Sequence, residues 1–169
     1  MTGPMLARPT PCAEWDLAML LLHVGDSLAA VYEGLAVGRA GVRPAAADPS
    51  GDPVSALRVR AVRVLRHAMA SPGRPDRGGD VAVDDLRLPA ETVAGAGAVE
   101  AAVHGWDVAQ ATGARRPVPA DLAAGLLEVS RTLAPPRDRP PLFREPLDPG
   151  AHASPSDHLV AFLGRRPMI

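Results

Sequence analysis

The stretch that most limits what this chain can fold into is an apolar segment that follows Asp16 and ends near Gly38. Large apolar residues recur there every three or four positions, which is the spacing of one face of an α-helix. Asp16 is a typical N-cap residue, and Gly38 is typical of the position after a helix. We therefore predict one long helix. Its expected buried face is Leu17, Leu20, Leu21, Val24, Leu28, Val31, Tyr32 and Leu35.

Other segments carry similar helix signals, separated by stretches rich in proline and glycine. The predicted helices are Asp52–Ala70, Ala90–Gly113, Pro117–Leu133 and Ser154–Leu163. The chain is 47% hydrophobic but only 3% aromatic, and a core of Ala, Leu and Val suits helices better than a β-sandwich. We expect one all-α domain spanning residues 1–169. A short extended segment, Val81–Leu88, precedes the helix that starts near Ala90.

The helix Asp52–Ala70 has an ambiguous pattern. Its expected buried face consists of Val54, Leu57, Ala61, Val64, Leu65 and Met69. The opposite side carries Arg60, Arg63, Arg66 and His67. A basic stripe of this kind is more often a solvated face than an anion site, and we predict a solvated face.

Charge and cysteine content exclude several classes of protein. The 18 basic and 19 acidic residues give a net charge of −1, whereas nucleic-acid and membrane-surface proteins usually carry a basic excess. The apolar run Leu17–Val24 is too short to span a bilayer, and its flank, Glu14 and Asp16, is acidic. The single cysteine, Cys12, cannot form an internal disulfide and is compatible with a reducing compartment. We expect a cytoplasmic protein that binds neither nucleic acid nor membrane.

Glu100 and His104 lie one helical turn apart and point towards the same side of the predicted helix. The small or apolar residues Val93, Ala96, Gly97, Val108 and Ala111 share that face. A carboxylate that points inward is costly unless it is paired or binds a metal. The pair therefore predicts a metal site, although a simple hydrogen bond between the two side chains would also satisfy them.

His23, on the first long helix, is the natural third member of this site. Two imidazoles and one carboxylate form a suitable set for Zn²⁺ that leaves a fourth position open for water or substrate. Asp107 lies one turn after His104 and is placed to accept the second ring N–H of that histidine. Taken alone, His23 is more simply a partly exposed histidine on the helix surface. For Asp107, a helix-end hydrogen bond or plain solvent exposure is as well supported as a role beside His104.

Three ordered motifs resemble a known superfamily. The segment Pro9–Asp16, followed by Leu20-Leu21-Leu22-His23, resembles the pattern P-T-P-C-x-x-W-[DT]…L-L-x-H. The segment Glu100–Gly113 resembles [DE]-x-x-V-H-G-W-D-x-A-x-A-x-G, and Ser156–Pro167 is similar to the superfamily's C-terminal ending. The superfamily is that of the DinB-like bundles, in the branch related to the N-terminal domain of mycothiol-dependent maleylpyruvate isomerase.

The resemblance implies an up-down helical bundle that holds a divalent metal, typically zinc, with nickel or another divalent ion as an alternative. It implies that the ligands are His23, Glu100 and His104, and that the cosubstrate is a low-molecular-weight thiol such as mycothiol. The implied chemistry is thiol transfer to, or thiol-assisted isomerisation of, a small electrophilic molecule. Cys12 belongs to the first motif, and we expect it to be structural.

The chain departs from the family pattern at its beginning. Only Met1–Arg8 precede the first motif, where the family has a whole helix, and a bundle lacking that helix would expose an apolar face suited to a second copy of the chain. No C-terminal domain of the isomerase kind follows, so maleylpyruvate isomerisation itself is not expected. Three alternatives stay open: a metal-dependent thiol S-transferase, a non-catalytic metal-binding regulatory or interaction module, and a bundle whose interior Glu and His only hydrogen-bond each other.

Overall fold

A computed structural model describes residues 3–12, 15–41, 51–70, 79–135, 139 and 143–167. Within these ranges the chain forms six helices and three short strands. The helices are α1 (Gly3–Leu6), α2 (Leu17–Val37), α3 (Pro53–Ala70), α4 (Ala90–Thr112), α5 (Ala120–Leu133) and α6 (Pro155–Phe162). The strands are β1 (Arg39–Ala40), β2 (Asp80–Val83) and β3 (Leu86–Pro89). The mostly helical fold is as predicted.

Helix α2 is the element around which the site is built. Asp16 caps it by accepting a hydrogen bond from the Met19 amide at 2.9 Å, and Gly38 ends it in the left-handed conformation. The helix packs against α3 on one side and α4 on the other. Leu17, Leu20 and Leu21 are almost completely buried, which confirms the predicted inner face at the start of the helix.

The length of α2 corrects the expectation that the apolar segment at its start is too short to span a bilayer. The helix has 21 residues, and its most apolar window has a mean hydropathy of 1.3, so by length and composition it is long enough to cross a membrane. The apolar run Leu17–Val24 is therefore only the first part of a longer apolar helix. A core helix of a helical bundle can be equally long and equally apolar. Helix α2 is packed in this way, because seven of its residues are buried.

Buried side chains form two groups that meet at α4. One group centres on α2 and includes side chains of α3. The other lies between α4, α5 and α6 and includes Trp106 and Leu126. Helix α4 contributes Val108 and Ala111 to the first group and Val99 and Val103 to the second. Because α4 faces both groups, its Glu100–Asp107 stretch is fixed from two sides.

The predicted extended segment is a small sheet. Strands β2 and β3 form an antiparallel hairpin, and β1 pairs in parallel with β2. The sheet lies beside α2, where Gly34 allows the close approach: a Cβ at this position would lie 3.1 Å from Val81 Cγ1 and 3.3 Å from Val93 Cγ1. The sheet thereby joins the C-terminal part of α2 to the start of α4.

Helix α3 confirms most of the predicted buried face, because Val54, Leu57, Ala61 and Val64 pack against the α2 group. Leu65 and Met69 were wrongly included, since they are 60% and 77% exposed. Arg60, expected on the opposite side, lies against α2 and donates to Asp26 Oδ1 at 2.7 Å. The long aliphatic stem of arginine can cover apolar surface while its guanidinium reaches a carboxylate, and this places Arg60 inside the α2–α3 interface.

The C-terminal segment folds back onto the core. Ser154 and Asp157 form a capping box at the start of α6, as the Ser-Pro-Ser-Asp sequence indicates. Phe143–Pro146 has no regular secondary structure. The stretches rich in proline and glycine on both sides of α3 and after α5 lie largely outside the described residues.

Candidate metal centre

The side chains of His23, Glu100 and His104 meet in the groove between α2 and α4. His23 Nε2 lies 3.1 Å and His104 Nε2 lies 3.3 Å from the same oxygen, Glu100 Oε2. One candidate ligand atom from each of the three residues lies within 4.8 Å of those of the other two. His104 is buried, whereas the side chains of His23 and Glu100 are 37% and 34% exposed. One side of the cluster is thus accessible from solvent.

These distances fit the separations that a metal ion would impose. Zinc–donor bonds of about 2.0–2.1 Å in a tetrahedral site place neighbouring donor atoms about 3.3–3.4 Å apart. The nitrogen–oxygen distances of 3.1 and 3.3 Å are close to this value. The same distances also suit hydrogen bonds, so the structure brings the residues together while their role as metal ligands stays a prediction.

His104 lies between two carboxylates. Its Nδ1 donates to Asp107 Oδ2 at 2.9 Å, and its Nε2 faces Glu100. Burial by itself would lower the pKa of His104, but the hydrogen bonds from its ring to its neighbours outweigh this effect and raise the pKa to about 11. Burial likewise opposes the charge on Glu100, but hydrogen bonds from His104 and His23 hold the pKa of Glu100 far below its usual range. These opposite shifts favour the charged forms of His104 and of the two carboxylates beside it.

Asp107 is completely buried and is held from behind by Arg165. The guanidinium donates from Nη2 to Asp107 Oδ2 at 3.0 Å and from Nε to Asp107 Oδ1 at 3.4 Å. Burial alone would raise the pKa of Asp107, but the hydrogen bond from His104 and the charge of Arg165 lower it below its usual value. The hydrogen bond between Asp107 and His104 fixes the ring so that Nε2 faces the cluster.

Sequence reasoning missed Arg165, which follows Gly164 in the C-terminal motif. Gly164 has a φ of 78°, and the carbonyl of Val160 accepts the Arg165 amide, so the chain turns sharply after α6. The turn places the Arg165 side chain against Asp107. The only available signal was the resemblance of the tail to the superfamily's ending, because an arginine after a helix carries no chemical signal by itself.

Cys12 lies on the same side of His104 as Arg165. Its Sγ donates to Asp107 Oδ2 at 3.3 Å, accepts from Arg165 Nη2 at 3.2 Å, and lies 3.7 Å from His104 Nδ1. Cys12, His104 and Asp107 form a second group with metal-ligand spacing. The guanidinium of Arg165 already supplies a positive charge there, so a second cation would be repelled. We therefore favour the group with His23 and Glu100 as the metal centre.

Trp15 and Gly97 shape the groove around the three residues. The Trp15 ring stacks at a tilt on His23, with ring centroids 4.6 Å apart, and forms a wall of the site. A Cβ at Gly97 would lie 2.6 Å from Val31 Cγ2, so a glycine is required where α2 and α4 approach each other. Ser27 Oγ lies 3.5 Å from Glu100 Oε2 and also faces the cluster.

The fold and this cluster define a helical domain with a candidate centre for a divalent metal. The chain belongs to the mycothiol maleylpyruvate isomerase N-terminal domain family, whose sequence profile matches residues 1–109. This family assignment confirms the resemblance, and the mostly helical structure, which also contains a small sheet, is compatible with a DinB-like fold.

Two curated relatives extend the similarity into the C-terminal part. They are proteins of Mycobacterium tuberculosis, one from strain CDC 1551 / Oshkosh and one from strain H37Rv, and both bear the name "Uncharacterized protein". Each is 30% identical to this chain over 162 residues, which covers 95% of this chain and 85% of the relative. No solved structure matches the chain significantly.

Proposed function

We propose that this protein is a divalent-metal-dependent enzyme that transfers a low-molecular-weight thiol, of the mycothiol type, to a small electrophilic molecule or uses it for isomerisation. The convergence of His23, Glu100 and His104 within 4.8 Å, with one side accessible, is the observation that supports this proposal. The family's link to mycothiol supports the choice of thiol.

The donor set fits zinc, and also nickel or another divalent ion, because imidazole and carboxylate accept several of these metals. A closed structural zinc site normally has four protein ligands, whereas three protein ligands leave a position for an incoming group. When bound, the metal would act as a Lewis acid that stabilises the thiolate form of the cosubstrate. The proposal therefore covers zinc, nickel and other divalent metals.

The protein residues have separate tasks in this scheme. His104 is oriented by Asp107, which is itself held by Arg165, so Nε2 stays directed at the cluster. Trp15 covers His23 and restricts access to the exposed side of the site. The proposed reaction begins when the thiol gives its proton to water at the solvent-accessible side of the site, after which the thiolate sulfur attacks an electrophilic carbon. A C–S bond forms, and either a leaving group departs with its electron pair or the thiolate is expelled again after isomerisation.

The test combines metal analysis with thiol binding. The wild-type protein should bind one zinc ion per chain, and His23→Ala should lose most of this affinity because it removes one of three ligands. His152→Ala, which removes an exposed histidine from another part of the chain, is the matched control. Full zinc stoichiometry in His23→Ala would contradict the ligand set.

Calorimetric titration with mycothiol then distinguishes an enzyme from a metal-binding module. We expect the zinc-loaded protein to bind mycothiol and the metal-free protein to bind it much more weakly. In the cobalt-substituted protein, addition of the thiol should produce a sulfur-to-cobalt charge-transfer band. If the zinc-loaded protein does not bind mycothiol and the cobalt-substituted protein shows no charge-transfer band, the transferase proposal is refuted and a regulatory or interaction module is favoured.

A further inference from the structure

Helix α3 carries a group of basic side chains that the metal centre does not use. The helix contains four arginines and one histidine but no acidic residue. Among the described residues, only Arg60 of these arginines forms an ion pair, with Asp26. Arg58, Arg63 and Arg66 have no carboxylate partner in the part of the chain that the structure describes.

These three arginines line a hollow of about 630 Å³ between α3 and Tyr32 of α2. Val59 and Val62 supply apolar surface, and His67 is the other lining residue; none of the described residues that line the hollow is acidic. The volume is within the range of about 300–1,000 Å³ that is typical of sites for small molecules. The hollow thus combines positive charge with an aromatic ring and aliphatic side chains.

Tyr32 holds two of the basic groups in place. The Arg63 guanidinium lies 4.2 Å from the centre of the Tyr32 ring, and the His67 ring meets the same ring edge-on with centroids 5.7 Å apart. Because an ordered guanidinium loses less entropy when it binds an anion, this contact prepares Arg63 for a ligand. Arg58 and Arg66 lie two turns apart, about 12 Å along the helix.

The hollow is separate from the metal centre. Tyr32 and His23 are nine residues apart on α2, which corresponds to about 13 Å along the axis and to opposite faces of the helix. A neighbouring hollow shares Tyr32 and Arg63 but is also lined by Glu33 and Asp84. These two carboxylates make the neighbouring hollow less suited to an anion.

We propose that the hollow formed by Tyr32, Arg58, Arg63 and Arg66 is a binding site for a small organic molecule carrying at least two negative charges, as carboxylate or phosphate groups. Arginines that have no carboxylate partner among the described residues repel one another when they lie close together on one helix, and an anion relieves this repulsion. Bidentate contacts to carboxylate or phosphate are the strongest that a guanidinium makes. The concave shape and the valines favour a compact ligand with an apolar part over an extended polyanion.

Calorimetric titration of the intact protein with glutarate and with ribose 5-phosphate tests the proposal and distinguishes carboxylate from phosphate recognition. We expect at least one of these anions to bind with a Kd below about 1 mM, and the neutral analogue glutaramide not to bind. The His23→Ala protein should bind the anion equally well, because the hollow does not depend on the metal centre. Failure of both anions to bind the wild-type protein would overturn the proposal.

Two double variants with the same change in net charge sharpen the test. Arg63→Gln/Arg66→Gln should weaken anion binding at least about tenfold, whereas Arg115→Gln/Arg116→Gln, at exposed positions after α4, should leave it unchanged. Equal loss in both double variants would show non-specific attraction and contradict a defined site. Binding of anionic vesicles or oligonucleotides without binding of the small anions would likewise refute it.

Discussion

At the scale of single residues, the chemistry of this protein depends on His104, which belongs to both candidate ligand groups. Its Nε2 faces Glu100, and its Nδ1 donates to Asp107. The sequence pattern identified both contacts as one-turn neighbours on a helix. The support of Asp107 by Arg165 comes from a residue 58 positions further along the chain, and no local pattern could have indicated it.

Replacing Asp107 with Asn should weaken metal affinity about 10–100-fold, which is the usual effect of removing a carboxylate that supports a ligating histidine. Asn keeps the shape of the side chain but not the charge that orients and polarises the imidazole. Competition with a chromophoric chelator measures the affinity, and Asp85→Asn, in the exposed turn between β2 and β3, is the control. Equal affinities of the Asp107→Asn and wild-type proteins would exclude this role of Asp107.

At the scale of elements, the site exists because α2 and α4 approach closely enough for His23 to reach Glu100. Gly97 is the closest point of this approach, since its missing Cβ leaves room for Val31. The side chain of Val31 on α2 occupies the space that a larger residue at position 97 would need.

Gly97→Ala should destabilise the protein by about 1–3 kcal/mol, because the added methyl group forces two packed helices apart. It should also weaken metal binding. His23 lies on α2, so a shift of α2 away from α4 moves His23 away from Glu100 and His104. Urea unfolding of the metal-free protein measures the first effect, and a metal titration measures the second.

Gly105→Ala on the same helix is the matched control, since no atom lies within 4 Å of its added Cβ. This change should stabilise α4 by up to about 1 kcal/mol through helix propensity alone. Combining Gly97→Ala with Val31→Ala should recover part of the lost stability. If Gly97→Ala were as stable as Gly105→Ala, the close approach of the two helices would not be a constraint.

At the scale of the whole molecule, the segment before α2 and the segment after α6 contact each other beside the site. Cys12, before α2, and Arg165, after α6, are in contact and both reach Asp107 of α4. The three motifs of the sequence, far apart along the chain, thus meet at one buried carboxylate.

Arg165→Met should reduce the free energy of unfolding by roughly 2–4 kcal/mol, because it leaves Asp107 buried with only His104 to balance its charge. Adding Asp107→Asn should recover part of this loss, since the uncompensated carboxylate is then gone. Urea unfolding measures both effects. The neighbouring Arg166→Met, at an exposed position, should change stability by less than about 0.5 kcal/mol. If the Arg165→Met and Arg166→Met proteins had similar free energies of unfolding, Arg165 would not be needed to balance the charge of Asp107.

The sequence by itself determined the helical class and the ends of α2 and α4, because capping and helical periodicity are local properties of the chain. It also identified His23, Glu100, His104 and Asp107 as one group, although their role in metal binding is a prediction. Only the tertiary structure left Leu65 and Met69 of α3 exposed and placed Arg60 in the interface with α2, because the ion pair of Arg60 with Asp26 depends on α2. The tertiary structure also decided the contacts of Arg165 and Trp15 with the site, because folding brings these residues to it.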